Sequence, residues 1–243
     1  ILVNAGTIVI SNSTIRNNRS DTQYGGGIHL RQGSNAYLNS VVIDSNYAYR
    51  DGGGIYASWS YLNGTGMDVR DNDSQFGHGG GLALRGSLAD IDNSNFEGNS
   101  TSTDEMGFGG GIYINNSDYE EETQDGGGEI NIISTTINNN FSQYGGGIYL
   151  SPNSSLDASE LTIIGNEASY YGGGLYLYNA QGAIINSSIT DNLSAGPGGG
   201  AYLNGTFILK NVLIADNTAW VGGGIFYNWL SLPNNTALDL INV

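Results

Sequence analysis

Chemistry in this 243-residue chain must come from a short inventory: two histidines, 23 aspartates and glutamates, seven lysines and arginines, and no cysteine. Without thiols there is no thiolate nucleophile, disulfide or zinc–thiolate site. His78, in Gly77-His78-Gly79, stands near Asp71 and Asp73, a grouping in which acid–base work could be sought. Hydrolysis of a glycoside normally needs two convergent carboxylates. However, His78 fills a slot that other repeats give to Tyr24, Asp51, Phe108, Tyr144, Tyr171, Pro197 and Val221. It therefore reads as a variable structural position, and no catalytic residue is assigned.

Three further groups of residues could bind. The acidic run Asp118-Tyr119-Glu120-Glu121-Glu122, closing at Asp125, offers clustered carboxylates to calcium, although a solvated charge run on a long turn explains it more simply. No other cofactor is expected. Twelve Asn-x-Ser/Thr sequons occur, and Asn63, Asn115, Asn153, Asn204 and Asn234 are expected in the turn after one strand, where an N-linked glycan would project. Finally, His29, Tyr56, Tyr113, Tyr149, Tyr176, Tyr202 and Phe226 recur at one repeat position, broken by Ala83. Alternation along a strand puts them opposite the apolar neighbours. Two readings stay open for this aromatic face: rings stacking on one another, or an exposed stripe suited to sugar rings or another chain.

The elements that would position these residues follow from a repeat. Triple glycines followed by an apolar residue begin at Gly25, Gly52, Gly79, Gly109, Gly145, Gly172, Gly198 and Gly222. A ninth, Gly126 to Gly128, is followed by Glu129 and falls in an acidic loop insertion over 115–130. Before each of the eight comes an apolar residue, two variable positions and asparagine: Ile15/Asn18, Ile43/Asn46, Val69/Asn72, Phe96/Asn99, Ile137/Asn140, Ile163/Asn166, Ile189/Asn192 and Ile214/Asn217. Each repeat holds short apolar–polar alternations and no 3.6-residue stripe. Strands this short cannot bury an apolar face alone, but stacked coils can. The expectation is an all-β, right-handed parallel β-helix of about eight coils, three short strands per coil, forming one domain over 1–243. The asparagines are expected to form an amide ladder at one corner.

The pairing of Gly109-Gly110-Gly111-Ile112 with Phe96-Glu97-Gly98-Asn99 resembles the repeat signature of chlamydial polymorphic outer-membrane proteins and related β-helix surface proteins. That resemblance extends over nearly the whole chain and implies an extracellular or cell-surface passenger region acting in adhesion or surface coating. The autotransporter barrel of such proteins is not in this sequence. Gly77-His78-Gly79 also echoes a tripeptide of pectin-degrading hydrolases, but the paired aspartates and basic motif of those enzymes are not found downstream. A non-enzymatic structural or adhesive module is therefore the first reading, possible carbohydrate binding included, and a polysaccharide lyase or glycoside hydrolase on the same scaffold is the alternative.

Net charge −16 supplies no basic footprint for nucleic acid, and no apolar run reaches the roughly 18 residues of a spanning helix, so direct membrane insertion is not expected. Asn12 and Asn242 occupy equivalent repeat positions, and Gly6–Asn18 aligns without gaps to Gly205–Asn217. Entry and exit in repeat phase predict an excerpt of a longer rod, or self-association end to end into a filament.

Overall fold

The computed structural model describes residues 1–102, 106–116, 128–228 and 237–243. It is a parallel β-solenoid of about eight turns, with no helix among the described residues. One coil illustrates the plan. After the glycines at 52–54 come strands Ile55–Ser58, Tyr61–Thr65 and Asp68–Arg70, and then a fourth, Asp73–Ser74. The expected three strands per coil are thus joined by a short fourth, which pairs only with its equivalents in an eight-stranded parallel sheet. Its two to five residues are too few to show a period in sequence.

Register follows the repeat. Ile28, Ile55, Leu82, Ile112, Ile148, Leu175, Ala201 and Ile225 pair in sequence order, coil on coil. Ile15, Ile43, Val69, Phe96, Ile137, Ile163, Ile189 and Ile214 form a second such row. Both rows lie in one apolar interior, with most members fully buried and Ile214 and Ile225 partly so.

Polar corners close each turn. The expected amide ladder is present: Asn46 Nδ2 donates to Asn72 Oδ1 at 3.0 Å, Asn72 to Asn99 at 2.9 Å and Asn99 to Asn140 at 3.0 Å. Each second amide hydrogen goes to an apolar residue's carbonyl one coil back, as from Asn99 to Val69 O at 2.9 Å. The left-handed residue that each of these corners needs lies just before the ladder asparagine, at Asn17, Ser45, Asp71, Gly98, Asn139, Gly165, Asp191 and Asp216. A second left-handed corner falls at Asn12, Ser40, Gly66, Asn93, Ser134, Glu160, Asn186, Asn211 and Asn242. Asn and Asp tolerate that region because their short side chains can bond locally.

The glycine triplet has one reason per residue. The first is left-handed, at φ +65° in Gly79. A Cβ on the second would collide with main chain, lying 2.3 Å from Ser100 O in the case of Gly80. A Cβ on the third would press on the next coil's ladder amide, 3.1 Å from Asn99 in the case of Gly81. Of the ninth triplet only Gly128 is described, and it leads into Glu129–Ile133, a second strand of its coil rather than a triplet corner.

Two substitutions separate close packing from backbone preference. Gly33, at φ +75° with nothing within 4 Å of an added Cβ, should tolerate alanine at a cost of about 1–2 kcal/mol. Gly80→Ala must force adjacent coils apart and should cost more than about 4 kcal/mol, read by denaturant unfolding.

Candidate functional site

The aromatic column lies where strand alternation put it, on the sheet face away from the interior, but it is not an exposed stripe. Tyr56, Tyr113, Tyr149, Tyr176 and Tyr202 are buried, and His29 and Phe226 are half-buried. Ring centroids are 5.5 Å apart from Tyr113 to Tyr149, 5.3 Å from there to Tyr176, 4.7 Å on to Tyr202 and 5.3 Å on to Phe226. The cover comes from the variable slot before each triplet, one coil earlier. Tyr24 packs on Tyr56 at 4.4 Å, His78 on Tyr113 at 4.7 Å, Phe108 on Tyr149 at 4.6 Å, Tyr144 on Tyr176 at 5.6 Å and Tyr171 on Tyr202 at 5.5 Å. Stacking therefore wins over exposure, because rings offset at these distances bury large apolar area and add favourable edge and face electrostatics. Burial, with neighbouring tyrosines, raises the pKa of the Tyr176 hydroxyl. The signal for the cover was in the sequence, since slot and column residues are both mostly aromatic, but pairing them needed the one-coil offset.

One coil breaks both columns together. Its slot residue is Asp51 and the column position that slot would cover is Ala83. Arg85, on the same strand face as Ala83, fills the space: its Nε donates to Asp51 Oδ2 at 2.6 Å, and its guanidinium lies 5.3 Å from the Tyr113 ring centre. Asp51 Oδ1 accepts the His78 backbone N–H at 2.9 Å. Arg85 and Asp51 are 1% and 3% exposed, so this is a buried ion pair. Burial alone would lower the Arg85 pKa, but Asp51, helped by Tyr113 and Tyr56, outweighs it and holds the guanidinium charged. Loss of either partner would strand a buried charge, at about 3–5 kcal/mol.

Over this break opens a pocket of about 510 Å³. Tyr24, Phe76 and Phe108 form its aromatic walls, Arg50 and Tyr49 stand at its exposed side, and His78 and Asp51 lie at its base. Arg50 is placed by a hydrogen bond of 3.3 Å to Tyr24 Oη. Burial pushes His78 down to about 4, with Asp51 opposing and Arg85 reinforcing the shift. The acid that meets His78 is therefore Asp51, one coil back. Asp71 sits at an exposed left-handed corner, and Asp73 Oδ1 accepts from Ser100 at 2.7 Å.

The proposed glycan sites do not share one location. Asn153 is an exposed turn residue, Asn63 and Asn115 are half-buried on strands, and Asn204 is fully buried, its Nδ2 donating to Asn228 O at 2.9 Å. Asn204 is thereby corrected: an amide already bonded inside the wall has no room for a sugar. The ladder sequons, such as Asn72 and Asn140, face inward for the same reason. Asn234 lies outside the described residues, as do the calcium candidates Asp118, Glu120, Glu121, Glu122 and Asp125. Among the described residues no three His, Asp or Glu side chains group to hold a metal.

The class is a parallel β-solenoid. Residues 40–58 match the Chlamydia polymorphic membrane protein repeat. The matched stretch runs from the Ser40 corner through ladder residue Asn46 and the glycines at 52–54 to the end of the strand Ile55–Ser58, which is the part of the coil that every turn repeats. No curated protein and no solved structure matches the chain.

The low His78 pKa has a signed consequence. Between the unfolded value of about 6.5 and the folded value of about 4, the unfolded chain takes up the proton first. The contribution of His78 to stability is therefore complete above about pH 6.5 and lost as pH falls towards 4. The difference in thermal midpoint between native protein and His78→Gln should be flat above that range and decline below it. A flat difference down to pH 4, or one of opposite slope, would contradict the assignment.

Proposed function

We propose that this chain is a non-catalytic module of a cell-surface protein, a rigid β-helical rod that adheres to glycans through its outer wall. The observation that carries this reading is the repeat match at 40–58, located on the corner, ladder and triplet that build each coil. A surface location follows from what that repeat's family name describes, a membrane protein. The architecture suits the role: interior and corners are spent on stacking, which leaves the outer side chains free to vary between coils without loss of fold. The cover over the aromatic column favours glycan contact at the pocket over the broken column or at other outer-wall aromatics.

Support for a non-catalytic role comes from Asp51, the sole acid among the described residues lining the pocket. Both its oxygens are engaged, one by Arg85 and one by the His78 backbone. A glycosidase would need a second carboxylate roughly 5–9.5 Å away.

Beads coated with the purified chain should bind animal or plant cell surfaces and lose most binding after enzymatic removal of surface glycans. Binding that survives deglycosylation would leave adhesion standing and remove the glycan. Release of reducing sugar from the same surfaces would overturn the non-catalytic reading.

A further inference from the structure

A second concavity lies on another side of the coil, at the turn between the first and second strands. It has a volume of about 540 Å³ and is lined by Trp59, Tyr61, Leu88, Gln32 and Asn35, with Gly86 at its floor. The tryptophan is unusual in its backbone. Trp59 sits at φ +47°, where equivalent turns use Gln32, Gly86 and Asn179. A bulky side chain in the left-handed region is rare, and such residues persist where the surroundings or the function over-determine them. The next coil makes room for it: a Cβ on Gly86 would lie 2.8–2.9 Å from three carbons of the Trp59 ring. The indole thus lies flat across a glycine instead of extending into solvent. Its Nε1, buried, has no hydrogen-bond partner among the described residues.

The groove is lined by aromatic and uncharged polar residues, with the Asp90 carboxylate beyond the lining. Tyr61 is anchored by donating its hydroxyl to Asp90 Oδ2 at 2.6 Å, and Tyr37, 41% exposed, meets it edge-on at 6.1 Å. Gln32 is exposed and Asn35 half-exposed at the rim. None of the lining residues carries a charge. Fixed aromatic rings flanked by amide donors and acceptors match a pyranose. Its C–H faces are apolar and gain from leaving water, while its ring-edge hydroxyls need hydrogen-bond partners. With no cation at the wall and a net charge of −16, an acidic sugar is disfavoured.

We infer that the Trp59 groove is a binding subsite for an uncharged hexose unit of a polysaccharide, stacked on Trp59 and Tyr61 and held at its edge by Gln32 and Asn35. The inference deepens the glycan-adhesion reading but rests on its own geometry.

The test is a titration of the full ¹⁵N-labelled chain, followed at the indole N–H resonances, with oligosaccharides of neutral glucose or galactose and with oligogalacturonate. The Trp59 signal is the one missing in Trp59→Gly, a variant that removes the ring and suits the left-handed backbone, so it should fold. The neutral series should shift that signal, and W59G should bind at least tenfold more weakly while the other indole resonances keep their native positions, showing that the fold is intact. No shift at millimolar sugar, or equal affinity in W59G, would overturn the site. A Trp59-dependent preference for oligogalacturonate would overturn the uncharged class. Binding lost in Tyr49→Ala but kept in W59G would move the ligand to the other pocket, overturning this site while sparing the adhesion reading. Sugar binding at Trp59 without bead adhesion would do the reverse.

Discussion

The coil depends on one buried polar interaction, the asparagine amide ladder. Asn99 shows why no other residue serves. Its Oδ1 accepts both the backbone N–H and the Nδ2 of Asn72, and its own Nδ2 donates to Asn140 Oδ1 and to Val69 O. Four bonds are made and no buried polar group is left over, which is the condition for placing an amide in a core. The ladder amide also helps to crowd the third glycine of a triplet, since a Cβ on Gly81 would lie 2.7 Å from Gly111 O and 3.1 Å from the Asn99 amide. It also selects for Asn, Asp, Ser or Gly just before the ladder, where the chain must turn through a left-handed residue.

Because the ladder sets register, chain between rungs can vary. Asn99 and Asn140 are 41 residues apart where most neighbours are 26 or 27 apart, yet their amides meet at the usual 3.0 Å. The same freedom reaches the outer layer. Rings from slot and column meet only because rungs place them one coil out of phase, and a change in one column demands a change in the other. Asp51 and Ala83 are that paired change, with Arg85 closing the gap and the pocket opening above it.

Much of this was legible in the sequence. The triplets and the apolar-x-x-Asn pairs name the interior rows from Ile28 and Ile15 onward, because burial and amide bonding leave few residue types permissible. The fourth strand was not legible, since Asp73–Ser74 is held by stacking and not by alternation. Nor was the fate of the aromatics. Alternation tells which side of the strand Tyr149 takes, but not that Phe108, 41 positions earlier, covers it. Sites built on departures from the repeat were least visible of all. Ala83 breaks a pattern and can be noticed, whereas Arg85 and Trp59 occupy positions with no pattern to break.

Each rung is needed as an amide, for both its donors and its acceptor, and a comparison of Asn99→Asp with Asn99→Ala across pH decides the point. An ionised aspartate can still accept from Asn72 but turns bare oxygen toward Asn140 Oδ1 and Val69 O, so N99D should lose about 3–5 kcal/mol at neutral pH. Its carboxyl should then titrate well above the unfolded value of about 3.9, because only the protonated form can donate across the rung. Relative to native protein, N99D should regain stability as pH falls through that raised value, while the deficit of N99A stays constant. Equal, pH-independent deficits in the two variants, or N99D as stable as native protein at pH 7, would contradict the account.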